Sequence, residues 1–228
     1  MSRIVDLSHV IENGTTGARI RLRNGHIREA SIRIEPWLTR EQLREAIHDE
    51  AAFEITEVSF PTIIGTYIDS PYSRFADGPD IAELRIEDVV LPGIVIDARG
   101  LEPGSRIGPE SLPTDVDLRG TAILVNFGWD RFWGRDEYLR HPSVSDKFVD
   151  QFIQSGARLL GVDTGNADNY EDLAHPVHSR LLGQGMVISE NLTNLHLLHS
   201  QKFRFFAVPI KGRRMASMSV RAFAEISQ

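Results

Sequence analysis

Short runs of apolar residues that end in small or polar side chains recur along the chain. Their length and their content of β-branched residues are typical of strands, and continuous apolar runs indicate strands that are buried on both faces. The five runs are 3-RIVDLSHVI-11, 94-IVIDARG-100, 122-AILVNFG-128, 159-LLGVDT-164 and 205-FFAVPI-210. We therefore expect a sheet that contains these segments.

Two further segments have the period of amphipathic helices. The first is 39-TREQLREAIHDEA-51, in which Thr39 and Gln42 have the spacing of a capping box. One apolar stripe follows, made of Leu43, Ala46 and Ile47. The pattern predicts a helix from Thr39 to position 51.

The second predicted helix is 145-SDKFVDQFIQSGA-157. Ser145 is a suitable N-cap and Gly156 a natural stop. The buried stripe is expected to be Phe148, Val149, Phe152 and Ile153. This helix leads directly into the strand at 159–164, so the chain is predicted to be one mixed α/β domain over residues 1–228. The segment 101–120, with three prolines and three glycines, predicts a surface loop.

The composition limits the classes of function. A chain of 228 residues with 41% hydrophobic residues suits one soluble domain with a real core. The formal charge of −7 argues against electrostatic binding of nucleic acid. The chain has no cysteine, which excludes disulfides, thiolate metal sites and a cysteine nucleophile. With no signal peptide and no transmembrane run of 18 apolar residues in the sequence, we expect a cytoplasmic protein that is not membrane-bound.

A first candidate for chemistry is the segment 64-IGTYIDSPYS-73. Tyr67 and Asp69 are two residues apart, so they share one side of an extended strand. Gly65 permits a close backbone approach and Pro71 stiffens the exit. Such an aspartate suits a metal or substrate anchor, although an aspartate in this setting also often bonds to its own turn.

A second candidate is 175-HPVHSRLLGQGMVISENLTNL-195, which contains His175, His178 and Glu190. His178 and Glu190 could join Asp69 as three protein ligands, which is the usual number at a catalytic zinc site with one open position. The alternative is a histidine at a helix start and a surface carboxylate, and His175 adds little to either interpretation.

A third candidate is an aromatic cluster in 128-GWDRFWGRDEY-138. Its members are Trp129, Phe132, Trp133 and Tyr138. They could wall a pocket for a flat substrate or pack at a strand-to-helix corner. Asp163 and Thr164 end a predicted strand, a position where α/β proteins tend to place function.

Several of these segments together resemble the cyclase family of metal-dependent hydrolases, which includes bacterial kynurenine formamidase and isatin hydrolase. The resemblance covers nearly the whole chain. It is carried by 4-IVDLSHVIENGT-15, 126-NFGWDRFWG-134, 161-GVDT-164, 175-HPVHSRLLGQGMVISENLTNL-195 and 217-SMSVRAFA-224. It implies a single mixed α/β domain of the swivelling β/β/α type.

The hallmark loop of that family has the frame His-x-Gly-Thr-His-x-Asp-x-Pro-x-His. Here the Gly-Thr, Asp and Pro positions of the frame are kept, as 65-GT-66, Asp69 and Pro71, but Ile63, Tyr67 and Ser73 stand in place of the three histidines. In the family the third histidine is thought to act as general base. Ser73, with an ordinary hydroxyl, cannot take a proton at neutral pH, so the standard hydrolysis is in question.

The resemblance also implies a ligand set. The loop aspartate, a later histidine and a later glutamate of the family match Asp69, His178 and Glu190. We expect these three to hold a single divalent ion, Zn or Mn, or no ion if the site is lost, because carboxylate-rich sites favour Mn, Mg or weakly bound Zn. The expected catalytic residues are Tyr67, Asp69, Ser73, His178 and Glu190, and the expected substrate-binding residues are Trp129, Phe132 and Trp133.

Three functions follow from this reasoning. The first is hydrolysis of a small amide, lactam or ester at the reduced metal site, as in an arylformamidase. The second is a metal-independent dehydration or cyclisation by acid–base residues, with Tyr67 as a hydrogen-bond donor. The third is a non-catalytic protein that binds a small ligand or a partner. The resemblance implies a homodimer or homotetramer, and 12-ENGTTGARIRLRNG-25 predicts a loop or hairpin that could reach a neighbour.

Overall fold

The computed structural model describes residues 2–22, 24–47 and 52–226. Within them the chain forms fifteen strands and three helices. The strands are β1 (Arg3–Asp6), β2 (Thr16–Arg21), β3 (Ile27–Ser31), β4 (Arg33–Leu38), β5 (Ile55–Ser59), β6 (Tyr67–Asp69), β7 (Val90–Asp97), β8 (Arg106–Ile107), β9 (Ala122–Asn126), β10 (Ser143–Val144), β11 (Leu159–Val162), β12 (Val187–Glu190), β13 (Phe203–Phe206), β14 (Ser217–Ser219) and β15 (Phe223–Ile226). The helices are α1 (Arg40–Ile47), α2 (Asp146–Ser155) and α3 (Pro176–Gly183).

Nine strands form one mixed sheet in the order β1-β15-β13-β7-β9-β11-β12-β6-β14. The four central strands β7, β9, β11 and β12 run parallel, and the flanking strands are antiparallel to their neighbours. The carboxyl ends of the parallel strands therefore meet at one edge of the sheet. Asp97, Asn126, Asp163 and Glu190 lie at or directly after these ends.

The central strands are buried on both faces because their apolar residues alternate between two cores. In β9, Ile123 and Val125 pack with the buried residues of α2 and α3. Leu124 of the same strand packs in the second core. That second core also contains Val5 of β1, four places away in the strand order. The sheet is therefore strongly curled. The mixed sheet together with the helices packed on it confirms the predicted mixed α/β class.

Helix α2 confirms the prediction for residues 145–157. The Ser145 hydroxyl accepts a hydrogen bond from the Phe148 N–H at 3.2 Å, and Gly156 closes the helix with a φ of +76°. Phe148, Val149 and Phe152 are fully buried, and Ile153, the fourth residue of the predicted stripe, is only partly buried and packs against the same core. The expected local signals therefore act as the sequence indicates.

Helix α1 agrees with its prediction only in part. The capping box is present, since the Thr39 N–H donates to Gln42 Oε1 at 2.9 Å and the Gln42 N–H donates to Thr39 Oγ1 at 3.1 Å. The predicted apolar stripe is wrong, because Leu43 is buried while Ala46 and Ile47 are exposed. Residues 48–51 of the predicted helix lie outside the described residues.

Other predicted boundaries move because of distant contacts. The first strand ends at Asp6, and the Ser8 hydroxyl donates to the carbonyl oxygens of Val220 and Ala222, both at 3.3 Å. The predicted loop 101–120 contains the two-residue strand β8, which pairs with β10. The loop or hairpin predicted for 12–25 contains only strand β2, and the hairpin is completed by β3, which lies beyond the predicted segment. In the part of the chain that the structure describes, no helix has the length and apolar character needed to cross a membrane.

Candidate active site

The floor of the site is strand β6, which is hydrogen-bonded to β12 on one edge and to β14 on the other. Tyr67 lies opposite Glu190 in this register, and Asp69 lies opposite Ile188. All three residues of β6 are buried. Since Tyr67 and Asp69 alternate with Ile68, both point to the same face of the sheet.

The turn that leads into β6 requires glycine at position 65. Gly65 has a φ of +66°, and a Cβ atom there would lie 2.7 Å from Cγ2 of Ile11. The Gly65 carbonyl accepts a hydrogen bond from Asn191 Nδ2 at 2.7 Å, and the Thr66 hydroxyl donates to the Asn191 carbonyl oxygen at 2.5 Å. These bonds tie the start of β6 to the residue that follows Glu190.

His178 reaches the site from the first turn of α3. Asp168, which is fully buried, accepts hydrogen bonds from the Val177 N–H at 2.7 Å and the His178 N–H at 3.1 Å. The same carboxylate lies 2.6 Å from Nδ1 of the His178 ring. Asp168 thus satisfies two free N–H groups at the helix start and orients the imidazole.

Sequence reasoning did not identify Asp168. It lies ten residues before His178, at a spacing that matches no capping motif, and only the fold brings the two together. Asp168 lies in the loop between β11 and α3, and this loop brings its carboxylate next to His178.

The three predicted ligands converge. His178 Nε2 lies 3.6 Å from Asp69 Oδ2 and 3.4 Å from Glu190 Oε1. One ligand atom from each of the three residues falls within 4.8 Å of the others. Asp69 and Glu190 are buried.

These distances fit a single divalent ion. Ligand atoms at 2.0–2.2 Å from a tetrahedral ion lie about 3.3–3.6 Å from one another. Two carboxylates and one imidazole are also a donor set that suits a divalent cation. A second group has ligand atoms within the same distance and consists of Asp168, His175 and His178. In this group Asp168 and His178 already bond to each other at the start of α3.

The charges of the site are strongly coupled. Burial raises the pKa of Glu190 to about 7, although the adjacent His178 and hydrogen bonds from Tyr67 and the Ala167 N–H oppose the rise. The Tyr67 hydroxyl donates to Glu190 Oε2. Burial, followed by the charges of Glu190 and Asp69, raises the pKa of Tyr67 well above its ordinary value. Tyr67 is therefore a neutral donor at pH 7.

Burial alone lowers the pKa of His178, but its carboxylate neighbours outweigh burial and raise the pKa well above the ordinary value. The neighbours are Glu190, Asp168 and Asp69. Without an ion the imidazole is therefore a positive partner for the two carboxylates, and binding of a metal at Nε2 requires the release of the proton on that nitrogen.

A cavity of about 310 Å³ opens above these groups. Tyr67, Asp69, His178 and Glu190 line its inner part. The rest of its wall consists of Ala18, Arg19, Ile20, Ile63, Ser73, Arg74, Gly165, Asn166, Leu173, His175 and Leu182. Ser73 is exposed at the end of the short 3₁₀ turn Pro71–Ser73. The structure thus brings all five predicted catalytic residues to one cavity, and their catalytic roles stay predictions.

The aromatic cluster divides between core and cavity. Trp129 is only 4% exposed and lies in the first core, and Phe132 packs against that core. Trp133 lies beside the site, on a smaller adjoining cavity of about 120 Å³ that Tyr67 and Tyr138 also line. Trp133 thus lines a cavity beside the site while it also packs against the first core. The substrate-binding roles of Trp129, Phe132 and Trp133 stay predictions.

Trp133 is held by two aromatic contacts. Its ring stacks on His9, with centroids 4.2 Å apart and an interplanar angle of 7°. It also meets the Tyr138 ring edge-on at 5.3 Å. Burial lowers the pKa of His9 to about 4, so His9 is neutral at pH 7.

Asp163 binds the backbone of the segment that follows β9, next to the site. Its carboxylate accepts the backbone N–H groups of Phe127 at 2.9 Å, Gly128 at 2.7 Å and Trp129 at 3.3 Å. The Thr164 hydroxyl donates to the Asn166 carbonyl oxygen at 2.8 Å. The two residues at the end of β11 therefore shape the loops around the cavity.

The fold and the lined cavity at the carboxyl edge of parallel strands define an α/β protein with an enzyme-like site. Residues 5–169 match the Cyclase family, whose description is putative cyclase. The chain belongs to this family.

Two curated relatives illustrate the similarity. An uncharacterized protein of Methanocaldococcus jannaschii is 32% identical over 104 residues, which are 45% of this chain and 52% of that protein, so the match spans about half of the relative's length. Kynurenine formamidase of Bacillus mycoides is 28% identical over 162 residues, 69% of this chain and 73% of that enzyme.

Solved structures share the fold. Isatin hydrolase A from Labrenzia aggregata superimposes with a TM-score of 0.82 at 22% identity, over 100% of this chain and 94% of that one. A protein from Bacillus stearothermophilus described as a predicted metal-dependent hydrolase gives a TM-score of 0.72 at 16% identity, over 99% of this chain and 98% of that one. At these identities the likeness concerns the fold.

Proposed function

We propose that this protein hydrolyses a small amide, lactam or ester at a reduced metal site in which Asp69, His178 and Glu190 hold one divalent ion. The observation that carries the proposal is the convergence of His178 Nε2 on Asp69 Oδ2 at 3.6 Å and on Glu190 Oε1 at 3.4 Å. Its family membership and its similarity to kynurenine formamidase support hydrolysis of a C–N bond.

The chain's own residues prepare the site for an ion. Asp168 accepts a hydrogen bond from Nδ1–H of His178, which leaves Nε2 to face the two carboxylates. Three protein ligands in a cavity of about 310 Å³ leave room for substrate and water. A divalent ion bound there supplies Lewis-acid polarisation of a carbonyl group.

Tyr67 and Ser73 have separate tasks in this proposal. The Tyr67 hydroxyl is protonated and lies at the inner wall, so it donates a hydrogen bond either to Glu190 or to an oxygen that gains negative charge. Ser73 lies on the outer wall, where its hydroxyl holds water rather than removing a proton.

The metal content of the purified protein tests the proposal. We expect near-stoichiometric metal by plasma mass spectrometry after dialysis against zinc or manganese, and its loss in Asp69→Asn and Glu190→Gln. Asp115→Asn, an exposed carboxylate outside the site, is the matched control. A screen of aryl formamides, lactams and esters with the loaded protein then measures hydrolysis. Absence of metal under every loading condition would overturn the proposal.

A second function is favoured by the contact between Tyr67 and Glu190. A carboxyl whose pKa is raised to about 7 suits a general acid or base at neutral pH. Together with His178 and Asp168 it forms a connected set of proton donors and acceptors. Such a set suits a metal-independent dehydration or cyclisation. Full activity after exhaustive chelation would favour this function, and activity that chelation removes and metal restores would exclude it.

A further inference from the structure

Arg74 lies on the outer wall of the cavity, directly after the 3₁₀ turn Pro71–Ser73. Its guanidinium is fixed at two of its nitrogen atoms. Nε donates to the Ser179 hydroxyl at 2.8 Å, and Nη2 donates to the Ala174 carbonyl oxygen at 2.6 Å. The side chain is therefore held between β6 and α3 although the residue is exposed.

No residue within 2–22, 24–47 or 52–226 gives Arg74 a carboxylate partner, since both of its acceptors are uncharged. Arg19, the other arginine of the same wall, differs in this respect. It pairs with Glu29 at 2.5 Å and approaches Asp136 at 3.7 Å. Arg74 is thus a positioned positive charge at the cavity, whereas the charge of Arg19 is already balanced.

The neighbouring wall is apolar and accessible. Leu173 is 83% exposed and Ile20 is 53% exposed, and both line the same cavity. The cavity volume of about 310 Å³ is near the lower limit for small-molecule sites, which run from about 300 to 1,000 Å³. A ligand that fills it is therefore small and partly apolar.

We propose that Arg74 binds a carboxylate of the substrate, which makes the substrate class small amides or esters with an apolar body and a carboxylate. This inference rests on the proposed function for the identity of the reacting bond. The bonds from Nε and Nη2 leave both N–H groups of Nη1 and one of Nη2, and this end of the planar guanidinium suits two parallel hydrogen bonds to a carboxylate.

A matched pair of probes isolates the carboxylate. N-formylanthranilate carries it, and N-formylanthranilamide replaces it with a neutral amide of the same shape. Binding is measured by calorimetry and turnover by kcat and KM. A charge-assisted hydrogen bond contributes about 1.5–3 kcal/mol, so we expect Arg74→Gln to weaken binding of N-formylanthranilate by about 10- to 100-fold. Binding of the amide probe should change less than about threefold.

Three further variants sharpen the result. Arg19→Gln removes a paired arginine of the same wall, and its effect on N-formylanthranilate should be smaller than that of Arg74→Gln. Arg106→Gln removes an exposed arginine outside the cavity and should have none. Arg74→Lys keeps the charge without the planar fork and should lose affinity to an intermediate extent. Thermal unfolding of each variant checks that it folds.

The outcomes separate this inference from the proposed function. Arg74-dependent binding of N-formylanthranilate without turnover would sustain the inference and contradict hydrolysis of this bond. Equal binding by the wild-type and Arg74→Gln proteins would overturn the inference, whether or not the probe is hydrolysed. Failure of the wild-type protein to bind N-formylanthranilate at millimolar concentration would overturn it as well.

Discussion

Nδ1 of His178 lies 2.6 Å from Oδ2 of Asp168, and this buried carboxylate also accepts two backbone N–H groups at the start of α3. One side chain therefore fixes the helix start and the direction of the imidazole. The other ring nitrogen of His178 faces Asp69 and Glu190 as a consequence. The geometry of the proposed ligand set thus depends on a residue that lies outside it.

Replacing Asp168 by Asn is expected to weaken zinc and manganese affinity by about 10- to 100-fold, the usual effect of losing the acidic partner of a ligating histidine. Titration against a competing chelator measures the change. The NMR-determined pKa of His178 should fall in the same variant, because a carboxylate that raises it has been removed. Unchanged affinity, or an equal loss in the surface control Asp115→Asn, would contradict a positioning role.

Tyr67→Phe removes the hydroxyl that donates to Glu190 and leaves a buried carboxylate oxygen without that donor. We expect the free energy of unfolding to fall by about 1–3 kcal/mol and turnover to decrease while metal is retained. Urea unfolding and metal analysis of the same preparations check both expectations. Tyr170→Phe, at a half-exposed surface position, is the control and should change stability by no more than about 0.5 kcal/mol.

Asp163→Ala deprives the N–H groups of Phe127 and Trp129 of their acceptor, whereas the Gly128 N–H keeps Asn126 Oδ1 at 3.0 Å. Each buried donor left without a partner costs about 1–3 kcal/mol, so we expect a loss on the order of 2 kcal/mol or more. Asp163→Asn keeps one acceptor oxygen and should lose less. Chemical denaturation provides the values, and equal stability of both variants with the wild-type protein would show that other groups hold this loop.

His9 predicts a pH dependence of stability with a defined sign. Burial lowers its pKa from 6.5 to about 4 in the folded protein. As the pH falls from about 6.5 to 4, the unfolded chain binds a proton that the folded chain does not, so stability decreases over this window. Because His9 is only partly buried, its contribution is on the order of 1–2 kcal/mol.

The variant His9→Phe keeps a ring to stack on Trp133 and removes the titration. Its free energy of unfolding should therefore fall less steeply between pH 6.5 and 4 than that of the wild-type protein. His26→Phe, at an exposed position, should retain the wild-type slope. Parallel slopes for His9→Phe and the wild-type protein would refute the assignment.

Local sequence signals predict local structure well in this chain. Ser145 and Gly156 bound α2 as expected, because a cap and a left-handed glycine act through residues within one turn. The apolar stripe of α1 fails since its burial depends on what packs against it, and Ile47 is 48% exposed. The first strand stops early because Ser8 finds partners more than 200 residues away.

In the site, too, local signals are read from the sequence while long-range contacts are not. The pairing of Tyr67 with Glu190 joins segments 123 residues apart, which spacing alone cannot indicate and family resemblance can. Trp129 and Trp133 are four residues apart in one cluster, yet the first lies in the core and the second lines the adjoining cavity. Composition does not separate such neighbours. Arg74 was missed because its significance depends on uncharged partners on α3 and the segment before it.

Strand β6 is paired along both edges, with β12 on one side and β14 on the other, through backbone hydrogen bonds. The path of this segment is thus fixed by main-chain pairing and by Gly65, and not by the side chains at Ile63, Tyr67 and Ser73. Side chains at these three positions can therefore be exchanged without changing the backbone pairing of β6. The same property makes the chain a scaffold for engineering, in which histidines introduced singly at these positions would show which of them adds metal binding to the loop.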